Sequence, residues 1–231
     1  MPDIEAIRNM ESTRGKKTDK FSVNFVYRFY SLFFMLFFLL YVFIPILAPI
    51  LLHAGYRNSA YIIYKFFGNF CHQLPYRTFF LYGKQICYPL SIASEGFQFS
   101  FEKIITTNKI ILPISLKQFY GNEVMGYKTA LCQRDIAIFF SISLFCLIFF
   151  ISNNKIKRIN WKIWFLLGVI PMAVDGFSQL AGRVLPNLFL IRESTPLIRV
   201  ITGFSFGFMT AWYLIPYIGD SLLKENESKY L

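Results

Sequence analysis

Two polar knots interrupt a chain dominated by Phe, Ile and Leu. The first is Cys71-His72-Gln73-Leu74-Pro75-Tyr76-Arg77-Thr78, the second Cys132-Gln133-Arg134-Asp135. Cys71, His72, Cys132 and Asp135 offer thiolate, imidazole, thiolate and carboxylate, a donor set compatible in type with four-coordinate Zn²⁺. Cys132 and Asp135 stand three residues apart and share a face of a helix. Cys71 and His72 diverge by about 100° in mid-helix and converge only where a helix loosens at its end. The spacing matches no established zinc signature, so two other readings stand beside the metal. Cys71 pairs with Cys87 or Cys132 in an oxidising compartment, or the thiols only pack. Cys146, inside an apolar run, reads as inert.

Three further groups bear chemistry. Asp175, in Pro171-Met172-Ala173-Val174-Asp175-Gly176-Phe177-Ser178-Gln179, is a carboxylate inside an apolar stretch, where it costs several kcal/mol unless it faces other protein. Gln179 shares its face. Asp175 reads either as a catalytic base or ligand, or as one half of an ion pair with Arg134 or Arg199. Glu193 is a second carboxylate for that catalytic role. Arg192, Arg199 and Gln179 are the groups to hold an anionic substrate, guanidinium being suited to phosphate or carboxylate. Gly203 and Gly207 form Gly-x-x-x-Gly, which reads as close helix packing. There is no Gly-x-Ser-x-Gly, His-Glu-x-x-His, phosphate-cradling glycine loop or haem Cys-x-x-Cys-His motif, and only two histidines, His53 and His72.

The elements that position these groups are membrane spans. The 231 residues are 55% hydrophobic and 16% charged, outside the usual soluble range. Tyr30 to Leu52 carries no charge, and about 20 apolar residues cross a bilayer as a helix. That run is too long for a signal-peptide core. The pattern predicts an all-α integral membrane protein, a four-span helical bundle. Spans are expected at about 31–52, 136–152, 161–180 and 197–218, the second beginning before Cys132. Residues 1–29 read as a disordered, basic cytoplasmic tail and 219–231 as a second cytoplasmic tail. Residues 55–74 read as an interfacial helix ended by Pro75. Residues 86–128 read as a small outer-face insertion, with strands where Phe97 to Glu102 alternates, where Ile104 to Thr107 is β-branched, and at Ile110–Leu116.

The net charge of +11 fits Lys and Arg gathered beside spans better than nucleic acid, because no basic patch interleaves with exposed aromatics. The partners expected are the lipid bilayer and anionic headgroups. Twelve of the 24 Lys and Arg lie in the two tails and the 153–162 turn. This places both termini in the cytoplasm and both knots on the outer face of the cell membrane.

Four ordered blocks resemble the bacterial and archaeal membrane-protein family called domain of unknown function 2085. Cys-His-Gln-x-Pro-x-Arg-Ser/Thr-Phe is met by Cys71 to Phe79. Cys-x-Arg-Cys/Asp, opening a span, is met by Cys132, Arg134 and Asp135. Pro-x-x-x-Asp-Gly-x-x-Gln is met by Pro171, Asp175, Gly176 and Gln179. Arg-Glu-Ser-x-x-x-x-Arg-x-x-Thr-Gly is met by Arg192, Glu193, Ser194, Arg199, Thr202 and Gly203. Many relatives have Cys where this chain has Asp135, and join the first two blocks by a short link where it has residues 86–128. The resemblance implies a membrane protein whose four blocks meet in one site, and implies no activity.

Two function classes follow. One is a metal-assisted hydrolase or transferase acting on an amphiphilic substrate. The other is a non-enzymatic subunit or binding or sensing module whose polar blocks are structural. Four spans without inverted repeats are few for a transporter, which leaves a homo- or hetero-oligomer open.

Overall fold

The computed structural model describes residues 4–184 and 192–228. The chain runs α1 (Ile4–His53), α2 (Arg57–Phe67), β1 (Thr78–Leu81), α3 (Phe101–Thr107), β2 (Gly121–Asn122), β3 (Gly126–Cys132) and α4 (Gln133–Ile151). Then come α5 (Trp161–Trp164), a π-helical turn at Phe165–Val169, α6 (Ile170–Val184) and α7 (Pro196–Ser228). Four stretches are long and apolar enough to span a bilayer: Phe25–His53, Gln133–Ile151, Trp161–Gly182 and Pro196–Lys224. The mostly helical membrane fold with a small sheet is as the composition predicts.

α4 is the central helix, packing against α1 on one side and α7 on another. Gly203 and Gly207 allow this: a Cβ at Gly203 would stand 2.7 Å from the Arg134 carbonyl oxygen, and one at Gly207 2.3 Å from that of Ile138. The glycine motif thus brings α7 against the first turns of α4, where the second polar knot lies.

Several local readings are corrected. The basic N-terminal stretch is helical from Ile4 onward and runs without a break into the first span. The interfacial helix stops at Phe67, well short of Pro75. Gly68 follows, and Lys117 reaches across to donate its ammonium to the Gly68 carbonyl at the negative end of the helix. Residues 68–74 are therefore loop, with Gln73 in left-handed conformation at φ 50°.

The strands are not where alternation placed them. Phe101–Thr107 is a helix, capped by Ser100, whose hydroxyl accepts from the Lys103 N–H, with Glu102 in its first turn. Its apolar pair Phe101 and Ile104 is buried at helical spacing. Residues 110–116 form no strand. The sheet is antiparallel, in the order β1-β3-β2, and pairs Thr78 with Cys132 and Phe80 with Lys128. α4 does not begin before Cys132 either: β3 takes the residues up to it, and the Cys132 sulfur caps α4 by accepting from the Asp135 N–H.

Candidate functional site

The β1–β3 register joins the two knots. Because Thr78 lies opposite Cys132, the segment before Thr78 is carried alongside the start of α4. The Gln133 carboxamide strengthens the joint by donating to the Thr78 carbonyl at 3.1 Å. The loop from Cys71 to Arg77 is then fixed by Gln73. Its amide nitrogen donates to the Tyr64 and Ala130 carbonyls, both at 2.9 Å. Its own carbonyl accepts from the buried Lys128 ammonium at 2.5 Å, which also donates to Lys117 at 2.9 Å. A left-handed non-glycine residue costs energy, and the three bonds to Gln73 hold it, with Lys117 anchoring the Lys128 ammonium.

The outcome is a trio. One ligand atom each from Cys71, Cys132 and Asp135 lies within 4.8 Å of the others. Ligands ~2.0–2.3 Å from a tetrahedral ion stand roughly 3.5–4 Å apart, so small side-chain movements would close the three on an ion. All four cysteines are free thiols, so neither disulfide reading describes this structure. Cys87 is buried away from the trio, and burial pushes its thiol up to about 11. Backbone N–H groups of Gln73 and Asp135 point at the Cys71 and Cys132 sulfurs, each at 3.5 Å, favouring the thiolates. A hydrogen bond from Cys132 lowers the Cys71 thiol, and the same bond raises Cys132, with burial and Asp135 adding to the rise. Cys71 is thus the sulfur that ionises first.

His72 does not join the group. It is exposed while Cys71 faces inward, because the chain reverses at Gln73. Of the four ligands expected, three meet.

Beside the trio lies a network drawn from all four blocks. Arg77 embraces Glu193, Nε to Oε1 at 2.8 Å and Nη2 to Oε2 at 2.9 Å. Arg199 pairs with the same Glu193 carboxylate. Arg134 pairs with Asp175, whose other oxygen accepts from the Ser194 hydroxyl. Gln179 donates to Asp175 at 3.2 Å and to Ser194 at 2.7 Å, and its carbonyl faces Arg77 at 3.4 Å and Arg199 at 3.5 Å. Arg192 is more exposed, donating to Ser178 at 2.6 Å and standing 3.6 Å from Asp175. Residues 185–191, most of the expected loop after the third span, lie outside the described residues.

A cleft of about 280 Å³ connects trio and network, lined by Cys71, Cys132, Asp135, Arg77, Arg134, Arg199, Gln179 and His72 among others. Asp175 and Glu193, the expected catalytic carboxylates, do not line it. Each is buried, and its oxygens are taken up by guanidinium and hydroxyl donors. A larger open cleft of about 930 Å³ lies between the end of α1, α2 and residues 108–127, but its walls hold no thiol or imidazole. The smaller one holds the two thiols and the carboxylate of the trio.

Arg77, Arg134 and Ser194 belong to the site without having been singled out as site residues. Arg77 and Arg134 were legible as guanidiniums inside the blocks. Ser194 was not, because a serine after Arg-Glu carries no signal until Asp175 is found opposite it.

The fold and the site define a polytopic membrane protein with an ionic, thiol-bearing pocket at one end of its bundle. The family described as "Predicted membrane protein (DUF2085)" matches residues 123–213, so the resemblance read from the four blocks is borne out over the last three. An uncharacterized protein of Methanocaldococcus jannaschii is 33% identical over 103 residues, which are 44% of this chain and 61% of that protein. The match thus spans less than two thirds of this relative's length. No solved structure matches the chain.

Proposed function

We propose a metal-assisted membrane hydrolase or transferase, acting at the outer face of the cell membrane on an amphiphilic substrate with an anionic head group. The observation that carries this is one cleft holding both halves of such a site. The ion-binding trio Cys71, Cys132 and Asp135 opens onto the same 280 Å³ space as Arg77, Arg134 and Arg199. Three protein ligands and an open fourth position are the pattern of catalytic rather than structural zinc. A bound ion of that kind supplies a Lewis acid and a hydroxide at neutral pH.

The chain's own residues do the rest. Arg77, Arg134 and Arg199 receive the anionic group and oppose charge as it develops. Glu193 and Asp175 act as positioning residues that aim those guanidiniums. Gln179 offers its carbonyl to two of them and its amide to Asp175 and Ser194, tying the carboxylates into one unit. The outward orientation rests on the excess of Lys and Arg in the tails and the 153–162 turn.

One observation favours the second reading, a non-enzymatic module. Asp175 and Glu193 are satisfied as they stand, as in a purely structural ion-pair network. Metal analysis of the purified protein separates the two. The enzyme reading expects about one equivalent of a divalent transition metal, falling below ~0.2 in Cys132→Ser. Wild-type protein purified without chelator and holding less than ~0.2 equivalents overturns it.

A further inference from the structure

The polar cleft continues into a second concavity. Arg134 and Met172 line both it and a groove of about 340 Å³ along α6, whose other walls are apolar: Val169, Ala173, Gly176, Phe177, Leu180 and, from α7, Phe206. We propose that this groove takes the hydrocarbon chain of a lipid whose head group is a terminal phosphate monoester, which enters laterally from the bilayer and seats that head group against Arg134, Arg77 and Arg199. This deepens the function proposed above and rests on its assignment of the polar cleft as the ligand site.

The helix pair is built to leave this groove. At one end α6 is drawn onto α7 through the π-helical turn. There a Cβ on Gly168 would stand 3.1 Å from the Met209 Cβ, the Trp164 indole donates to Thr210 at 3.1 Å, and Ser205 donates to the Leu167 carbonyl at 2.5 Å. That last bond satisfies a carbonyl in the π segment, a kind of irregularity frequent at functional sites. Nearer the polar cleft the helix stands clear. Gly176 has no atom within 4 Å of where its Cβ would lie.

Charge and shape name the head group. Among the described residues Arg77, Arg134, Arg192 and Arg199 face Asp175 and Glu193, and Asp135 lines the same cleft, so four cations meet three anions, a surplus of 4 − 3 = 1. Partly buried positive charge is costly unless an anion completes it. A phosphate brings that anion with three strong acceptor oxygens, which several guanidinium forks can share and a carboxylate supplies less fully. Arg134 stands at the junction of cleft and groove, and its Nε–H is buried without a hydrogen-bond partner. A buried unmet donor on a cation costs roughly 1–3 kcal/mol or more, and a small turn of the side chain toward the junction would let a phosphate oxygen meet it. Size agrees as well. At 280 and 340 Å³, the two spaces hold a small head group and part of one chain, not a whole lipid.

The test uses full-length protein in detergent, with binding read by native mass spectrometry. The probes are dioleoyl phosphatidic acid, dioleoyl phosphatidylcholine and inorganic phosphate. Gly176→Ala and Gly176→Leu fill the groove in steps, and both relieve a helix-interior glycine rather than strain it. The expected result is at least ~10-fold tighter binding of phosphatidic acid than of phosphatidylcholine. That binding should weaken through Gly176→Ala and fall at least ~10-fold in Gly176→Leu, with inorganic phosphate binding unchanged. Equal binding of the two lipids means ordinary bilayer chains in the groove and overturns the proposal. So does phosphatidic acid binding indifferent to Gly176→Leu, or inorganic phosphate binding as tightly as the lipid. Each arm is run before and after chelation. Selectivity for phosphatidic acid in a protein that never holds metal would leave this inference standing and remove the metal-assisted reading.

Discussion

The two ends of the bundle are closed by different chemistry. Around the 153–160 turn the bonds are neutral. The Asn154 amide donates to the Tyr27 and Arg28 carbonyls at 2.6 and 3.3 Å, and its carbonyl accepts from Ser31 at 3.2 Å. Tyr30 donates to the Ile215 carbonyl at 2.9 Å. At the other end Arg77, Arg134 and Arg199 meet Asp175 and Glu193. α4 and α7 are thus tied to their neighbours at one end by amides and hydroxyls and at the other by buried ions. Desolvation makes a buried ion pair no better, on average, than well-packed apolar groups. Packing alone does not require the ionic end, and its surplus of guanidinium points to a ligand.

The largest test of this contrast removes one group from each end. Arg134→Ala takes from Asp175, 3% exposed, its nearest guanidinium and leaves it only Ser194, Gln179 and the more exposed Arg192, and should cost about 3 kcal/mol. Asn154→Ala strips hydrogen bonds from two carbonyls and a hydroxyl, and should cost about 1–3 kcal/mol. Thermal unfolding in detergent orders the two. Equal losses would dissolve the distinction between the ends.

A smaller effect is expected at the loop that delivers Cys71. Gln73→Ala removes the bonds to Tyr64 and Ala130, frees a left-handed residue to relax, and lets Cys71 drift from Cys132. It should lower metal affinity by about 10–100-fold, as loss of a group that orients a ligand does. A competition titration with a chromophoric chelator measures this. Unchanged affinity would mean that the trio does not depend on this loop.

Taken per pH unit, the smallest effect is that of Lys128. Burial lowers the Lys128 ammonium from 10.5 to about 7. Between those values the unfolded chain holds a proton that the folded protein does not, so stability rises with pH across that window. The gain is at most ~1.4 kcal/mol per pH unit. Below pH 7 both states are protonated and the burial penalty is felt in full. Lys128→Met should flatten the rise, as seen by unfolding at pH 7 and pH 10. A parallel slope in the variant would assign the dependence to another group.

The spans and the four polar blocks were legible because membrane-length apolar runs and isolated polar residues are strong local signals. The blocks even named each other's partners: Asp175 was read against Arg134 as one of its alternatives, and that pair is present. The piece that unites them was not legible. Thr78–Leu81 is four residues long and its partner Cys132 lies 54 positions on, so no local pattern announces the pairing. Alternation from Phe97 onward pointed to strands, but Ser100 as a helix cap and burial of Phe101 and Ile104 at a spacing of three overrode it. His72 was misplaced for a related reason. Adjacency to Cys71 suggested a shared ion, whereas His72 is exposed and lines the cleft without joining the group of Cys71, Cys132 and Asp135. Asp175 and Glu193 looked catalytic as carboxylates in apolar surroundings, and only the three-dimensional structure reveals that their oxygens are already spoken for.

The central claim is that Cys71, Cys132 and Asp135 hold one ion in a shared cleft. X-ray absorption at the edge of the bound metal tests it most directly. The account predicts two sulfur ligands at about 2.3 Å, with oxygen ligands at about 2.0–2.2 Å completing the shell. In Cys71→Ser one sulfur should be lost. A shell of oxygen and nitrogen alone, or one unchanged by Cys71→Ser, would contradict it.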